Sequence, residues 1–258
     1  MSESDQQAVL TEVRDNVLLI TINRPDARNA VNSAVANGIA DALEQLDGDD
    51  GLSIAVLTGA GKGFCAGMDL KAFVAGEMPW HATRGFAGIV QGPPEKPIIA
   101  AVEGFAVAGG LEIALACDLL VASAGAKLGV PEVKRSLVAA GGALLRLPRK
   151  LPYGIAMELV LTGDPITAER GAELGLVNRV AEPGHAVDVA LELAATIAKN
   201  GPLALKASKQ ILEAQWDWAD SEFFAKQGEF AGPVLASEDS REGATAFAEK
   251  REPVWKGR

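Results

Sequence analysis

The sequence predicts a mixed α/β protein assembled from repeated strand, glycine loop and helix units. Three observations carry this reading. Short β-rich runs are followed by glycine-rich stretches and then by helical apolar spacing, and this order recurs along the chain. Glycine (28) and proline (13) concentrate at the junctions, where a close backbone approach or a positive φ is needed. The 258-residue length supplies one large core that needs no disulfide or metal staple.

The elements follow in order. Residues 8–13 and 17–23 are β-rich runs separated by Asp15-Asn16, which reads as a hairpin. Asn32-Ser33 can cap a helix running to about Leu46, because Val35, Ile39, Ala42 and Leu46 recur at three- and four-residue steps. Residues 52–58 form a buried strand, and a glycine-rich loop over 59–67 leads to a short helix from Asp69. Residues 97–102 are another apolar strand, 104–110 read as a small-residue loop, and a helix over 109–117 leads into strand 118–122. Such repetition points to stacked ββα or βα turns rather than one open hairpin sheet.

The composition shifts near Asn200-Gly201-Pro202, which divides the chain into a core of residues 1–200 and a helical region of 201–258. Trp216, Trp218, Phe223, Phe224, Phe230, Phe247 and Trp255 all lie beyond that point. So short a helical appendage cannot bury that many large side chains alone. It must pack back on the core or onto another subunit.

Composition excludes several classes. Acidic residues outnumber basic ones 34 to 24, a net charge of −10, which argues against nucleic acid. Cys65 and Cys117 are far apart with no C-x-x-C, which fits a reducing cytoplasm and not a thiol zinc site. His81 and His185 are too few for a histidine metal cluster. Residues 1–7 are polar and acidic, so no signal peptide is expected, and the absence of an 18-residue apolar run predicts no membrane span.

Three segments carry the candidate chemistry: G-K-G-F-C-A-G-M-D-L-K over 61–71, E-G-F-A-V-A-G-G-L-E over 103–112, and L-G-V-P-E-V over 128–133. The first two each bring small residues into a helix start, leaving backbone N–H groups unpaired at its positive end. Two such groups aimed at one point would hold a developing oxyanion, and losing one such donor costs about 2.7–4 kcal/mol of transition-state stabilisation. Taken alone, either segment is equally an ordinary capped turn. Glu112 lies in the first turn of an apolar helix, and Glu132 follows Pro131 at a strand end or rigid turn. Each is either a surface carboxylate favoured by a helix dipole or a buried group with a raised pKa. Together, near anion-binding turns, they would form an acid/base pair worth about 10²–10⁴-fold per proton transfer. Neither a G-x-S-x-G motif, a phosphate-binding P-loop nor a G-x-G-x-x-G dinucleotide loop occurs. Cys65 reads as a packing residue, and His81, beside Pro79-Trp80, as a surface loop residue.

In this order and spacing, these segments resemble the crotonase (enoyl-CoA hydratase/isomerase) superfamily. Residues 22–30, I-N-R-P-D-A-R-N-A, are similar to that family's N-R-P-x-x-x-N-A segment. Residues 61–70 look like its G-x-x-F-C/S-A-G-x-D-L loop, 108–118 like its G-G-x-E-L-A-x-x-C-D helix, and Pro131-Glu132 like its second glutamate. Residues 247–253 resemble its F-x-E-K-R ending, so the likeness spans essentially the whole chain.

The resemblance implies a crotonase spiral of ββα units with a helical C-terminal trimerisation region, in homotrimers that commonly pair into hexamers. It implies an acyl-coenzyme A thioester substrate, with no cofactor beyond the substrate's own coenzyme A. The matching oxyanion donors are the N–H groups of Met68 and Gly109, and the matching carboxylates are Glu112 and Glu132. Arg28, Ala30, Ala66, Asp69, Leu70 and Lys71 match the coenzyme A side, with Asp69 equally able to serve as a helix cap. The implied reaction is hydration of a trans-2-enoyl-CoA. A Δ3-Δ2 enoyl-CoA isomerase, needing only the glutamate that matches Glu132, a carnitinyl-CoA dehydratase and a non-catalytic acyl-CoA binder are the alternatives. Residues 137–146, L-V-A-A-G-G-A-L-L-R, depart from the common P-G-A-G-G-T-Q-R and resemble carnitinyl-CoA dehydratases, which leaves acyl preference open. Because coenzyme A is itself a polyanion, the acidic chain must recruit it with local cations. Arg28 and Lys71 are candidates, as are Lys250, Arg251, Lys256 and Arg258 reaching a neighbouring subunit.

Overall fold

The computed structural model describes residues 7–258. The expectation about a leader over residues 1–7 therefore falls, apart from Gln7, outside the described residues.

β1 (Val9–Arg14) and β2 (Val17–Ile22) form the expected antiparallel hairpin. α1 (Ser33–Gly48) starts at Asn32, whose side chain accepts from the Val35 N–H as an N-cap. Three turns of a spiral follow. The first is β3 (Ile54–Gly59), a single bridge at Cys65, and α2 (Leu70–Val74), capped by Asp69; the short hairpin β4 (Trp80–His81) and β5 (Gly85–Phe86) closes it. The second is β6 (Ile98–Val102), β7 (Phe105–Val107) and α3 (Gly109–Ala116). The third is β8 (Leu119–Ser123), β9 (Lys127–Gly129), a 3₁₀ turn over Pro131–Arg135, and α4 (Ala143–Lys150). The chain continues through α5 (Tyr153–Thr162), β10 (Ile166–Thr167), α6 (Ala168–Glu173), β11 (Arg179–Ala181) and α7 (Ala186–Ala198). It ends in α8 (Pro202–Ala214), α9 (Phe223–Ala236) and α10 (Glu238–Glu249).

In each turn the first strand joins one sheet and the second joins another. The large sheet runs β1-β2-β3-β6-β8-β11, parallel beyond the hairpin, and the small one runs β10-β9-β7. Cys65 bridges Ala106 of β7, so the first turn touches the small sheet through one residue. Residues 104–110 were expected as loop; instead 105–107 are strand, because the second turn must place a strand beside β9. His81, expected in a loop, pairs with Gly85 in the β4–β5 hairpin.

Both faces of the large sheet are buried, as continuous apolar runs in parallel strands require. Leu18, Ile20, Ala55, Leu57, Ile98 and Ala100 face the main core beneath α1. Leu19, Ile54, Val56, Ile99 and Ala101 face α7, which presents Ala186, Ala190, Ala194 and Ala198. An alanine every fourth residue lets that helix lie close to the sheet.

The helical C-terminal region is latched to this core by charge. Lys209 on α8, 8% exposed, reaches Asp118 Oδ2 at 2.9 Å and donates to the Lys96 carbonyl at 3.1 Å. The same Asp118 oxygen accepts from the Ile98 N–H at 2.8 Å. Beyond α10 the chain folds back: Asp239 accepts from the N–H groups of Lys256 (2.7 Å) and Gly257 (2.9 Å), and Trp255 donates to the Lys199 carbonyl at 2.8 Å. Three C-terminal cations offered above for a neighbouring site are thereby engaged within the chain. Arg251 holds Glu242 and Glu249, while Lys256 and Arg258 pair with Glu238.

Removing one partner of a buried ion pair strands the other charge. Lys209→Ala should therefore lower the unfolding free energy by about 3 kcal/mol, read from urea midpoints. A variant within a few tenths of the wild type would show that the latch contributes nothing.

Candidate active site

The site forms where the first two spiral turns are stacked. Asn29, buried and in the left-handed region at φ 55°, fixes the first turn to the segment before α1. Its Oδ1 accepts from the Arg24 N–H (3.0 Å), and its Nδ2 donates to the carbonyls of Ala60 (2.9 Å) and Gly63 (2.7 Å). Met68 bridges Val31 through the bonds Val31 N–H to Gly67 O and Asp69 N–H to Val31 O. That pairing uses the Gly67 carbonyl and the Asp69 N–H on either side of Met68 and directs the Met68 N–H away from Val31.

The second turn brings Gly109 alongside. A Cβ on Gly67, at φ +94°, would lie 2.9 Å from the Gly109 nitrogen, and a Cβ on Gly110 would meet the Cys65 carbonyl oxygen at 2.0 Å. Only glycine permits either approach. Ala108, before Gly109, holds φ 52° and ψ −132°, a conformation that an L-side chain rarely adopts, and its N–H donates to Gly129 O at 2.9 Å. Third-turn contact thus holds strained backbone beside the site. Among the described residues, neither the Met68 nor the Gly109 N–H meets an acceptor. They are side by side at equivalent points of adjacent turns.

Glu112 sits one helical turn beyond Gly109 and is 4% exposed. Its Oε1 accepts from the Ala143 N–H at the start of α4 (3.2 Å). Gly141 packs so tightly there that a Cβ would stand 2.4 Å from Glu112 Oε2. Burial raises the Glu112 pKa, opposed by the Ala143 and Gly141 N–H groups and by Arg146. Glu132 lies in the 3₁₀ turn, and Pro131 fixes its start. Its Oε2 is buried without a hydrogen-bond partner. Burial raises its pKa as well, opposed by a hydrogen bond from its own backbone N–H, and the Glu112 charge raises it further.

Both carboxyl groups open on one cavity of about 460 Å³. Of the ten predicted site residues, Arg28, Ala66, Met68, Leu70, Gly109, Glu112 and Glu132 line it. Ala30, Asp69 and Lys71 do not. Asp69 caps α2 by accepting from the Lys71 and Ala72 N–H groups and pairs with Arg24 at 3.0 Å. Ala30 gives its carbonyl to the same arginine at 2.6 Å, and Lys71 stands exposed on α2. Two aromatic residues of the remaining walls were not read from the sequence. Trp80 and Phe86 come from the β4–β5 hairpin, edge to face with ring centroids 5.4 Å apart. Leu137, Val138, Ala140 and Gly141, from the stretch that departs from the common family pattern, line the cavity too, whereas residues 145–148 lie inside α4, with Leu147 buried. Cys65 is buried and its thiol is pushed up to about 12, which fits packing rather than nucleophilic chemistry.

The family model "Enoyl-CoA hydratase/isomerase" matches residues 12–258. The chain belongs to the enoyl-CoA hydratase/isomerase family. It is an enzyme of the crotonase superfamily and has that superfamily's fold. It is 41% identical to the enoyl-CoA hydratase EchA19 of Mycobacterium tuberculosis, over 96% of each chain. It is 39% identical to the carnitinyl-CoA dehydratase of Proteus mirabilis, over 98% of this chain and 99% of that one. Among solved structures, an enoyl-CoA hydratase from M. tuberculosis H37Rv superposes with a TM-score of 0.97 at 58% identity, covering 98% of this chain and all of the other. A carnitinyl-CoA hydratase from M. avium gives 0.79 at 48%, with the same coverage.

Within this family member the glutamate pair is a stability cost at neutral pH. The folded-state pKa of Glu132 lies above its unfolded value of 4.5, so folding loses free energy as pH rises through the folded pKa, and loses none below 4.5. Glu132→Gln should accordingly raise Tm at about pH 8, with the difference vanishing near about pH 4. Calorimetry at both values checks this; a variant less stable than wild type at the higher pH would contradict it.

Proposed function

We propose that this protein is an enoyl-CoA hydratase, adding water reversibly and in syn fashion to a trans-2-enoyl-CoA to give a 3-hydroxyacyl-CoA. One observation carries the reading: one buried carboxyl group, one half-buried carboxyl group with an unpartnered oxygen, and two unpartnered backbone N–H groups belong to residues lining a single cavity. The two N–H groups of Met68 and Gly109 would donate hydrogen bonds to the thioester oxygen, where negative charge grows as the nucleophile arrives.

The environments of the two glutamates support a division of labour. Glu112 keeps N–H donors and Arg146, all of which favour its ionised form. Glu132 has a buried, unpartnered oxygen and a like charge nearby, both of which favour its protonated form. Ionised Glu112 would take a proton from water as the water oxygen bonds to the β-carbon. The electron pair of the double bond moves to the thioester oxygen. Protonated Glu132 then delivers its proton to the α-carbon as that charge returns. The two groups titrate as a coupled pair, so their roles describe one microstate.

Arg28, Ala66 and Leu70 stand where coenzyme A would enter, with Lys71 one residue further along α2. The reading calls for no cofactor beyond the substrate's own coenzyme A. An isomerase would leave Glu112 idle, which disfavours that alternative. A carnitinyl-CoA dehydratase remains the second reading, favoured by the names of the Proteus and M. avium relatives.

Self-association belongs to the same proposal. A compact monomer of this mass exposes about 10,800 Å², whereas this chain exposes 13,255 Å². Phe224 (80%), Leu235 (74%) and Phe247 (88%) stand outward on α9 and α10. A second copy of the chain is the occupant that fits, in a homotrimer able to pair into a hexamer. Mass photometry should find trimers or hexamers; a lone monomer at micromolar concentration would refute this.

Loss of crotonyl-CoA absorbance reads the chemistry. Glu112→Gln and Glu132→Gln should each lower kcat about 10²–10⁴-fold. The pH profile of kcat/KM should be bell-shaped, with both limbs above the ordinary carboxylate value of 4.5. Its acid limb follows protonation of Glu112 and its alkaline limb loss of the Glu132 proton. Full activity in both variants would sink the assignment.

A further inference from the structure

Two arginines line the cavity, and they come from different walls. Arg28 belongs with residues 66–70: the Ala66 N–H donates to the Arg28 carbonyl, and the Val31–Met68 bridge continues that wall. Arg135 belongs with the wall beyond Glu132. It is the last residue of the 3₁₀ turn and is followed by Ser136 in the left-handed region, at φ 55°. The chain then runs through Leu137 and Val138, both exposed and both lining the cavity, to Gly141 against Glu112.

The Arg135 charge is not spent inside the protein. Its neighbour Lys134 is held by Asp164 at 2.5 Å, whereas among the described residues the Arg135 guanidinium has neither an ion pair nor a hydrogen bond. Glu132, three residues before it, meets Glu112 as its nearby charge rather than this guanidinium. An exposed, planar cation thus lines the cavity together with apolar Leu137, Val138 and Trp80. Guanidinium groups in such positions bind carboxylates through two parallel hydrogen bonds.

We propose that Arg135 is a specificity-determining residue that selects acyl groups ending in a carboxylate. This rests on the hydratase reading for the direction of the acyl chain, with the thioester at Met68 and Gly109 and coenzyme A on the Arg28 side. The acyl group then extends past Glu132 toward Arg135. The same guanidinium repels a quaternary ammonium, so it works against the carnitinyl reading.

The test uses saturated thioesters, which bind without reacting, so it stands whether or not crotonyl-CoA is hydrated. Isothermal titration calorimetry compares glutaryl-CoA, which ends in a carboxylate, with butyryl-CoA and free coenzyme A. Wild-type protein should bind glutaryl-CoA about tenfold more tightly than butyryl-CoA. Arg135→Leu and Arg135→Gln should both remove that preference and leave butyryl-CoA binding unchanged; retained butyryl-CoA affinity also reports an intact fold. Equal wild-type affinities for the two thioesters would overturn the proposal. So would a variant that weakens both thioesters and free coenzyme A alike, because the guanidinium would then serve the coenzyme's phosphates.

Discussion

The close backbone contact between the first two spiral turns is the constraint on which the site depends. Gly67 and Gly110 give the chain room to approach where a methyl group would stand 2.9 Å from the Gly109 nitrogen or 2.0 Å from the Cys65 carbonyl oxygen. Separated by one side chain's width, the Met68 and Gly109 N–H groups could not both serve one bound oxygen, as the proposed function requires. The contact also leaves both donors without an internal acceptor, a cost that a bound carbonyl oxygen would offset. Ala108 adds to this cost through its backbone conformation, which the hydrogen bond to Gly129 holds in place. Strain and unpaired donors therefore sit together, and the extensive core on both faces of the large sheet tolerates them.

The same stacking distributes the two carboxyl groups. The second turn supplies Glu112 from the start of α3, and the third supplies Glu132 from the turn after β9. Neither is neutralised by a directly bonded cation, so burial dominates both. What separates them is local: two backbone N–H groups favour ionised Glu112, against one, its own, for Glu132. Glu112 faces the backbone donors at the start of α4, while Glu132 faces the cavity with an empty oxygen. A difference made by backbone N–H groups is rigid, because it needs no side chain to hold a rotamer.

Much of this was legible in the sequence for physical reasons. Asn32, the period of α1 and the apolar strands predict their elements because caps and side-chain periodicity are local signals. Residues 105–107 failed as a loop because strand pairing with β9 is a non-local fact. Gly67 and Gly109 advertise themselves through composition, but Ala108 does not, since alanine carries no sign of a positive φ. Asp69 could be read as cap or ligand contact from its spacing alone; only the position of Arg24 on another segment decides where its carboxylate turns. Trp80, Phe86 and Arg135 line the cavity from segments whose motifs point elsewhere, so nothing local in those motifs connects them to it.

The net charge of −10 acquires a specific meaning once the cations are placed. Arg24 is committed to Asp69, Lys209 to Asp118, and Arg251 to Glu242 and Glu249. These arginines and lysines hold segments together and cannot also attract a polyanion without breaking the contacts that position them. Arg28 and Arg135 are different, because each lines the cavity and neither has an ion pair among the described residues. An acidic surface that repels anions at long range, combined with two uncommitted guanidinium groups on separate walls, makes binding depend on short-range fit. On the proposed reading, a ligand would gain from both only if its own negative groups were spaced to reach each of them. Selectivity would then follow from the distance between charges on the ligand, not from its total charge.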